Sequence, residues 1–293
     1  MAVSQREISL IFDFDETLTE DSTAAFVKSR GLDPQKDFYE LAAERVANGW
    51  DPPLAYLTLM CDMTKDGRLQ PIRRSDFLDF GRKLKPYPGV QSFLRGLRKK
   101  FEADALIKEA EVSLAYYIIS GGIGDIIRSV SIVDDFKEVW ACEFDYDAYQ
   151  VVSRPKAVIT FSEKTKFLFY INKGITGPQS RQTPYAVNVE LKPEDRPVPF
   201  CNMIYVGDGP SDVPCMSLLN SSMPPGRSIL VVADQKIHKS WELLGRGRPV
   251  PCDYKKKGHA RQVIEDAVLT RGRAVADGIL QERRANLGRK VGY

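Results

Sequence analysis

The sequence contains the stretch Ile8-Ser9-Leu10-Ile11-Phe12-Asp13-Phe14-Asp15-Glu16-Thr17, whose two halves differ sharply. The apolar half, Ile8–Phe12, has branched and aromatic residues and predicts a buried β-strand. The acidic half predicts a charged loop where that strand ends. Asp13 and Asp15 stand two residues apart, so the backbone can aim both carboxylates into one cleft. Adjacent acids repel unless a proton or cation is present, and their hard oxygen atoms suit Mg²⁺, although an ordinary acidic loop is the alternative for this motif alone.

Two further apolar runs also end in residues whose side chains or backbone could bind a ligand or take part in a reaction. Val112–Ile119 ends at Ser120-Gly121-Gly122, and Met203–Val206 ends at Gly207-Asp208-Gly209. Helix-like patterns separate these strands, which indicates an open and mostly parallel α/β sheet. Ligands bind such sheets at the carboxyl ends of the strands. We therefore expect Asp13, Ser120 and Asp208 to share one edge of the sheet.

The segment between the first two strands changes character. Helix-like apolar spacing recurs from about residue 22 to residue 84, without a good strand pattern, and Lys85-Pro86-Tyr87-Pro88-Gly89 then interrupts the chain. This pattern is typical of an inserted helical domain. The other predicted elements are helices at Val90–Arg98, Ile123–Val130 and Glu163–Asn172, short strands within Glu138–Ile159, and a strand at Ile229–Val232.

Four motifs in order give the chain a resemblance to a known family. Asp13-Phe14-Asp15-Glu16-Thr17, the strand ending at Ser120-Gly121-Gly122, a helix-borne lysine, and Gly207-Asp208-Gly209-Pro210-Ser211-Asp212 resemble the motifs of the haloacid dehalogenase-like (HAD) phosphohydrolases, closest to the phosphoserine-phosphatase-like branch. The resemblance covers about residues 7–235. It implies a three-layer, Rossmann-like parallel sheet core formed by residues 1–17 and 86–293, with an inserted helical cap at residues 18–85.

The resemblance also implies catalytic roles for the first motif. Asp13 would be the nucleophile that forms an aspartyl-phosphate, which divides a slow hydrolysis into two easier steps. Asp15 would protonate the leaving oxygen and then activate the water that cleaves the intermediate. The haloacid dehalogenases themselves lack this second carboxylate, so Asp15 favours phosphoryl chemistry over carbon–halogen chemistry.

The remaining roles concern the metal and the phosphate. By the resemblance, Mg²⁺ would be bound by Asp13, the backbone carbonyl of Asp15, and Asp208. Ser120 and the Gly121 amide would donate hydrogen bonds to the phosphoryl oxygens.

A lysine would complete the site. Lys164, at the start of a predicted helix, resembles the lysine that neutralises phosphate and nucleophile, with Lys166 as the alternative. Thr17, Ser211 and Asp212 would support the site; Asp212 would reach the metal through water or orient Lys164. Ser211 stands where phosphoserine phosphatases usually have Asn.

Two departures from the family pattern concern the substrate and a connection. Phosphoserine phosphatases place a Glu nine residues after the nucleophile to hold the substrate ammonium, and that position is Ser22 here, beside Glu20 and Asp21. This departure argues against serine phosphate. A Pro-bearing segment at residues 177–199 lengthens the connection before Asp208. It either borders the mouth of the site or decorates the far side of the sheet, and it could contain a short strand at Tyr185–Val189.

The predicted function is a Mg²⁺-dependent phosphatase acting on a small phosphomonoester metabolite, because a cap over the cleft limits substrate size. One alternative keeps the aspartyl-phosphate but passes it to another hydroxyl, as a phosphotransferase or phosphomutase does. The other is a nucleic-acid-binding protein that acts through its basic C-terminal end. Residues 235–293 hold fourteen Lys and Arg against six acids. Apolar residues are interspersed among these charges, so we expect residues 236–293 to form helices that pack on the core.

Composition supports an ordinary globular protein. The chain has 293 residues, with 43% hydrophobic and 28% charged residues, enough for a large core or a core with an insert. Five scattered cysteines and two histidines offer no zinc motif and favour a reducing compartment. No signal peptide or membrane-spanning apolar run is evident, so we predict a cytoplasmic protein without a membrane partner.

Overall fold

The computed structural model describes residues 5–232 and 249–291. Its strands are β1 (Glu7–Phe12), β2 (Ser113–Ile123), β3 (Glu138–Tyr146), β4 (Val152–Ala157), β5 (Met203–Gly207), β6 (Arg227–Val232) and β7 (Val250–Pro251). Together they form one sheet in the order β4-β3-β2-β1-β5-β6-β7. All neighbouring strands are parallel except β3 and β4, which form an antiparallel hairpin. The predicted α/β class and mostly parallel sheet are confirmed.

Strand β1 lies at the centre of the sheet, with β2 on one side and β5 on the other. Its last residue, Phe12, pairs with Ile118 of β2 and with Val206 of β5. Because all three strands are parallel, the residues that follow them emerge at the same edge. The strand register therefore brings the motifs after β1, within β2 and after β5 together.

The helices fill the intervals between the strands. They are α1 (Ser22–Ser29), α2 (Glu40–Ala47), α3 (Pro52–Lys65), α4 (Arg74–Lys83), α5 (Val90–Glu102), α6 (Ala105–Glu109), α7 (Gly124–Ile127), α8 (Glu163–Lys173), α9 (Gln179–Gln182), α10 (Val213–Ser221) and α11 (His259–Val291). A π-helical turn at Pro34–Tyr39 precedes α2. Helix α7 is shorter than the predicted Ile123–Val130, because β2 continues through Ile123 and the last turn of the pattern is not helical.

Helices cover both faces of the sheet, which makes the core three layers. Tyr116 of β2 donates a hydrogen bond to the carbonyl of Leu94 in α5, at 2.9 Å. The next residue, Tyr117, stacks on Trp140 of β3, which in turn stacks on Phe167 of α8. Consecutive strand residues point to opposite faces, so α5 and α8 lie on opposite sides. Helices α6 and α11 pack with α5, and α10 packs with α8.

Residues 22–83 contribute four α-helices between β1 and the core helix α5. Asp21 begins α1 as its N-cap, accepting from the amide of Ala24 at 2.8 Å, and such caps contribute about 1 kcal/mol. The two chain connections to this segment run side by side. The Tyr87 amide donates to the Leu18 carbonyl at 2.8 Å, and the Thr19 hydroxyl donates to the Lys85 carbonyl at 3.2 Å.

The end of the helical segment is attached to the core. The amide of Arg74 donates to the Gln150 carbonyl, and the amide of Val152 donates to the Ile72 carbonyl, both at 2.9 Å. The Arg74 guanidinium also lies 3.3 Å from the Asp125 carboxylate in α7. Helix α4 is therefore held against both the β3–β4 hairpin and α7.

The Pro-bearing segment at residues 177–199 lies at the edge of the sheet opposite the strand ends that carry the motifs. The Gly177 amide donates to Glu138 at the start of β3, and Gln5, just before β1, donates to the Arg196 carbonyl at 3.1 Å. The suggested strand at Tyr185–Val189 is wrong, because a 3₁₀ turn spans Pro184–Asn188. Tyr185 and Val189 are 83% and 57% exposed, so the stretch has no buried face to hold it in a sheet.

The described part of the C-terminal end packs on the core, and residues 236–248 lie outside the described residues. Helix α11 buries apolar residues that include Ala260, Ile264 and Val268. Several of its arginines pair within the protein. Arg271 donates to Asn202 at 2.7 Å, Arg273 to Asp104 at 2.8 Å, and Arg283 to Glu111 at 2.9 Å.

None of the helices described here combines the length and the apolar character that a membrane crossing requires.

Candidate active site

Asp13 follows β1 directly and its side chain meets a buried lysine. The Asp13 amide donates to the Val206 carbonyl at 2.9 Å, which extends the strand pairing by one residue and fixes the carboxylate at the sheet edge. Its Oδ2 atom lies 2.9 Å from Nζ of Lys164, and Lys164 is 1% exposed. Lys166 instead pairs with Glu163 on its own helix. The structure therefore brings Lys164, and not Lys166, to Asp13.

Asp212 holds Lys164 from the other side. Its Oδ1 lies 2.8 Å from the lysine Nζ and accepts a hydrogen bond from the Tyr205 hydroxyl at 2.7 Å. Its Oδ2 accepts from the amides of Asp208 and Gly209, each at 3.1 Å. Both oxygens of this fully buried carboxylate are engaged, so Asp212 orients the lysine and the loop that carries Asp208.

Burial and neighbouring charges shift the ionisation of this cluster. Burial, followed by the charge of Asp212, raises the pKa of Asp13 to about 6. Burial, followed by the charge of Asp13, raises the pKa of Asp208 to about 8. Burial alone would lower the pKa of Lys164, but Asp13 and Asp212 outweigh it and hold the pKa above its ordinary value. The site thus crowds acids around one lysine and favours a further cation.

Asp15 is held at the start of α1, and its pKa is raised. Its Oδ1 accepts a hydrogen bond from the Ser22 amide at 2.8 Å, where α1 begins. Burial, and then the negative charge of Asp21, raises the pKa of Asp15 to about 8. A carboxyl group with this pKa carries a proton at neutral pH, which a general acid must do.

Ser120 and its two glycines form a tight turn beside these acids. The Ser120 hydroxyl oxygen accepts from the Gly122 amide at 2.9 Å, and Ser120 is 1% exposed. A Cβ atom on Gly122 would lie 2.5 Å from Oδ2 of Asp15, a distance that real Cβ contacts do not show. Position 122 must therefore be glycine for Asp15 to keep its place.

The change Gly122→Ala is expected to lower turnover by roughly tenfold or more while the protein still folds, because the added methyl group displaces the Asp15 carboxylate. Steady-state kinetics and the thermal midpoint measure the two effects. Gly278→Ala in α11 is the control, since a Cβ there meets nothing within 4 Å. Full activity of Gly122→Ala would contradict the role given to this contact.

Glu16 lies between the motif and the helical segment. It has a φ of 54°, a left-handed conformation that few non-glycine residues adopt. Its carboxylate accepts from the Asp21 amide at 2.9 Å and from the Tyr87 hydroxyl at 3.2 Å. Glu16 therefore bridges the two connections of the helical segment, and it also lines the cavity described below.

Thr17 is anchored by the C-terminal part of the chain. Its carbonyl accepts from the Tyr254 hydroxyl at 2.9 Å and from the Cys252 thiol at 3.2 Å. Its own hydroxyl is buried without a hydrogen-bond partner in the described residues. These contacts make residues 252–254 part of the support of the first motif.

A cavity of about 310 Å³ opens above these groups. The core lines it with Asp13, Asp15, Ser120, Gly121, Lys164, Asp208 and Ser211. The helical segment and its connection contribute Asp21, Thr23, Tyr39, Pro52, Pro53 and Tyr56. The Tyr39 hydroxyl donates to Asp21 at 2.7 Å, and the Tyr56 hydroxyl donates to the Gly121 carbonyl.

The acidic cluster fits a divalent cation. Carboxylate oxygens of Asp13, Asp208 and Asp212 lie within 4.8 Å of one another. Hard oxygen donors at this spacing match the preference of Mg²⁺. Each carboxylate oxygen of Asp212 already has two donors, from Lys164, Tyr205 and two amides. Each oxygen of Asp13 has one, Lys164 or the Phe14 amide, so Asp13 and Asp208 are the better candidates for direct ligands.

The raised pKa values predict a pH-dependent stability. Asp13, Asp15 and Asp208 have pKa values of about 6, 8 and 8, against 3.8 in the unfolded chain. The folded protein binds these protons more tightly, so the stabilisation is complete below about pH 4 and is lost as the pH rises through about 6 to 8.

We therefore expect the thermal midpoint of the protein in EDTA to decrease as the pH is raised from about 5 to about 8.5. Asp208→Asn removes one of the three groups, and its midpoint should fall less over the same range. Parallel profiles for wild type and variant would contradict this assignment.

The structure brings together eight of the nine residues singled out from the sequence: the cavity is lined by Asp13, Asp15, Ser120, Gly121, Lys164, Asp208 and Ser211, and Asp212 contacts Lys164. Thr17, the ninth, is not among the residues that line the cavity, and its carbonyl is held by Tyr254. Sequence reasoning missed Tyr205 and Tyr254, and it gave Tyr56 no role in the site. Tyr205 lies three residues before Asp208 on a predicted strand, which is its only sequence signal. Nothing in the sequence pairs Tyr254 with Thr17.

Comparison with solved structures identifies the fold. A HAD-family hydrolase from Salmonella enterica subsp. enterica serovar Typhi aligns with a TM-score of 0.52 and 12% identity, over 81% of this chain and 66% of its own, just under two thirds. A phosphoserine phosphatase in apo form aligns with a TM-score of 0.54 and 11% identity, over 88% of this chain and 98% of its own. A phospho-aspartyl intermediate analogue of phosphoserine phosphatase aligns with a TM-score of 0.53 and 10% identity, over 89% and 98%.

The chain has the HAD-like fold that these solved structures share. The neighbours named as phosphoserine phosphatases are, by that name, enzymes that hydrolyse phosphoric monoesters. No family model matches the chain. An uncharacterized protein of Borreliella burgdorferi is 25% identical over 254 residues, which cover 78% of this chain and 85% of that protein.

Proposed function

We propose that the protein is a Mg²⁺-dependent phosphatase of a small phosphomonoester, acting through an aspartyl-phosphate on Asp13. The observation that carries the proposal is the Asp13 carboxylate, 2.9 Å from the buried Lys164 and close to Asp208 at the sheet edge that also carries Ser120. A nucleophile, a fixed cation, a metal-binding carboxylate and a hydroxyl donor thus face one cavity. The fold shared with phosphoserine phosphatases supports the same reading.

Asp13 and Asp208 would hold Mg²⁺, together with the backbone carbonyl of Asp15. When bound, the ion would neutralise charge between the carboxylate and the anionic phosphate, which otherwise repel. Lys164 adds a fixed positive charge from the protein itself. Ser120 and the Gly121 amide would donate hydrogen bonds to the phosphoryl oxygens, which gain charge in the transition state.

The reaction divides between the two carboxylates of the first motif. An oxygen of Asp13 attacks phosphorus, the bond from phosphorus to the ester oxygen breaks, and the proton of Asp15 passes to the departing alcohol. Asp15, now a carboxylate, takes a proton from a water molecule as that water attacks the phosphorus and the bond from phosphorus to the Asp13 oxygen breaks. Inorganic phosphate leaves, and Asp13 and protonated Asp15 are restored.

Residues 18–85 would form a cap over this chemistry. They contribute one wall of the cavity, and a volume of about 310 Å³ suits a small metabolite better than a polymer. Closure of the cap would exclude water while Asp13 is being phosphorylated.

The five cysteines are unpaired, which agrees with a cytoplasmic location.

Phosphate release from a panel of phosphomonoesters tests this function. The panel contains phosphoserine, sugar phosphates, mononucleotides and an aryl phosphate, each with Mg²⁺ and with EDTA. Mg²⁺-dependent release from at least one compound is the expected result. Adding an alcohol acceptor separates water from other acceptors, since transfer products would indicate a phosphotransferase. Release that is equally fast in EDTA would contradict the metal requirement.

Asp15→Asn should separate substrates by their leaving group. The variant cannot protonate the departing oxygen, so an alkyl phosphate should lose roughly 10²- to 10⁴-fold in turnover. An aryl phosphate needs less protonation and should lose considerably less. Rapid-quench measurement of alcohol or phenol release checks the first step directly. An equal loss on both substrates would show that Asp15 is not the acid of that step.

A further inference from the structure

Tyr56 connects helix α3 to the loop that carries Ser120. Its hydroxyl donates a hydrogen bond to the Gly121 carbonyl, which lies 65 residues away in sequence. Burial raises the pKa of the Tyr56 hydroxyl well above its ordinary value, so this group remains a donor at physiological pH. Tyr56 also lines the cavity beside Ser120 and Gly121. The contact joins the proposed cap to the proposed phosphate-binding loop.

The peptide unit between Gly121 and Gly122 is held at both ends. Tyr56 donates to its carbonyl, and its N–H donates to the Ser120 hydroxyl oxygen at 2.9 Å. Glycine residues leave a backbone unusually free, so such a peptide needs partners at both ends to keep one orientation. One of those partners comes from α3, outside the core.

This arrangement determines where Ser120 can donate. A serine hydroxyl has a single hydrogen and two acceptor lone pairs. Because its oxygen already accepts from the Gly122 amide, the hydrogen is directed away from that amide and remains available to a ligand in the cavity. A rotation of the peptide would remove this constraint and free Ser120 to turn.

We propose that Tyr56 is a positioning residue that fixes the Gly121–Gly122 peptide, and through it the Ser120 hydroxyl, only while α3 lies against the loop. The inference rests on the proposed function, because it assigns Ser120 to the phosphoryl group. Phosphate binding is then coupled to cap closure through one side chain. Direct contact between Tyr56 and the leaving group is the competing role.

The two roles differ in whether the activity lost on removal of the Tyr56 hydroxyl depends on the substrate. If Tyr56 acts through Ser120, Tyr56→Phe lowers kcat/KM by the same factor, roughly tenfold, on every phosphomonoester. This loss is smaller than the 10²- to 10³-fold loss on removal of a direct donor. In the same variant the dissociation constant of inorganic phosphate, measured by calorimetry with Mg²⁺, is higher than in wild type. A contact to the leaving group would instead give losses that vary with the substrate and leave phosphate binding unchanged.

A double-mutant cycle with Ser120→Ala tests the route. Tyr56→Phe should have little further effect on phosphate affinity or turnover once the Ser120 hydroxyl is absent. Tyr116→Phe is the matched control, since Tyr116 also donates to a backbone carbonyl, that of Leu94 in α5, and neither residue lines the cavity. It should lower the thermal midpoint as Tyr56→Phe does while leaving kcat/KM unchanged.

Each result has a defined meaning. Additive effects in the cycle, or equal activity losses in Tyr56→Phe and Tyr116→Phe, overturn the inference and leave the proposed function intact. If the wild type releases phosphate and Asp13→Asn does not, the proposed function is supported, whatever the result for Tyr56→Phe. A wild type that neither releases nor binds phosphate overturns both.

Discussion

Replacement of Asp13 by asparagine is expected to reduce phosphate release by at least ~10⁴-fold, because the variant has no carboxylate to attack phosphorus. The side chain keeps its shape, and its amide oxygen can still accept from Lys164. In the wild type the two groups lie 2.9 Å apart. Turnover with Mg²⁺ and the most active panel compound measures the effect.

Stability distinguishes a chemical defect from a folding defect. Asp13 lies among acids and its pKa is raised to about 6 by burial and by Asp212. Removing its charge relieves repulsion with Asp208, although it also removes a partner of Lys164. We expect Asp13→Asn to keep a thermal midpoint within a few degrees of wild type in EDTA. Persisting release, with deamidation of the new Asn excluded by mass spectrometry, would show that another group is the nucleophile.

The strand-end residues of the site could be predicted because parallel strands make sequence order informative. Once β1, β2 and β5 are assigned as parallel strands, their carboxyl ends must share an edge, so Asp13, Ser120 and Asp208 are expected there. The strand order, which puts β1 between β2 and β5 and makes these residues neighbours, comes from the structure. The family resemblance favours Lys164 and leaves Lys166 as the alternative, and the structure places Lys164 beside Asp13. Lys166, two residues on, points about 200° around the same helix and pairs with Glu163.

The supporting contacts could not be predicted in the same way. Tyr254 reaches Thr17 across 237 positions, and Tyr56 reaches Gly121 across 65. Such contacts depend on how helices and loops pack, for which sequence periodicity gives only the buried face. Tyrosine is also common in cores, where its hydroxyl simply finds a carbonyl, as Tyr116 does with Leu94. The residue type therefore did not separate a supporting tyrosine from a packing one.

The short strand suggested at Tyr185–Val189 shows a different limit. Alternating apolar residues favour a strand only if one face can be buried. Here the chain follows Pro184 into a 3₁₀ turn and both Tyr185 and Val189 face solvent. Within residues 5–232 and 249–291 no strand pairs with this stretch, which a single sequence does not reveal.

Lys164→Met is expected to cost both stability and activity. Nζ of Lys164 lies 2.9 Å from Asp13 and 2.8 Å from Asp212, and the side chain is almost fully buried. Removing one partner of a buried ion pair leaves uncompensated charge and typically costs about 3–5 kcal/mol. Turnover should fall by roughly 10³-fold, because the variant has lost a fixed positive charge beside the phosphate. Chemical denaturation and steady-state kinetics measure the two losses.

Lys166→Met is the matched control, since it removes the same group two residues away on the same helix. The side chains of Lys166 and its partner Glu163 are both about one third exposed, so the change should cost under about 1 kcal/mol and leave turnover near wild type. Mg²⁺ gives a second discrimination. A cation bound by Asp13 and Asp208 would replace part of the missing charge, so it should raise the thermal midpoint of Lys164→Met more than that of Lys166→Met. Equal losses of stability and turnover in the two variants would contradict the special role given to Lys164, which rests on its burial beside Asp13.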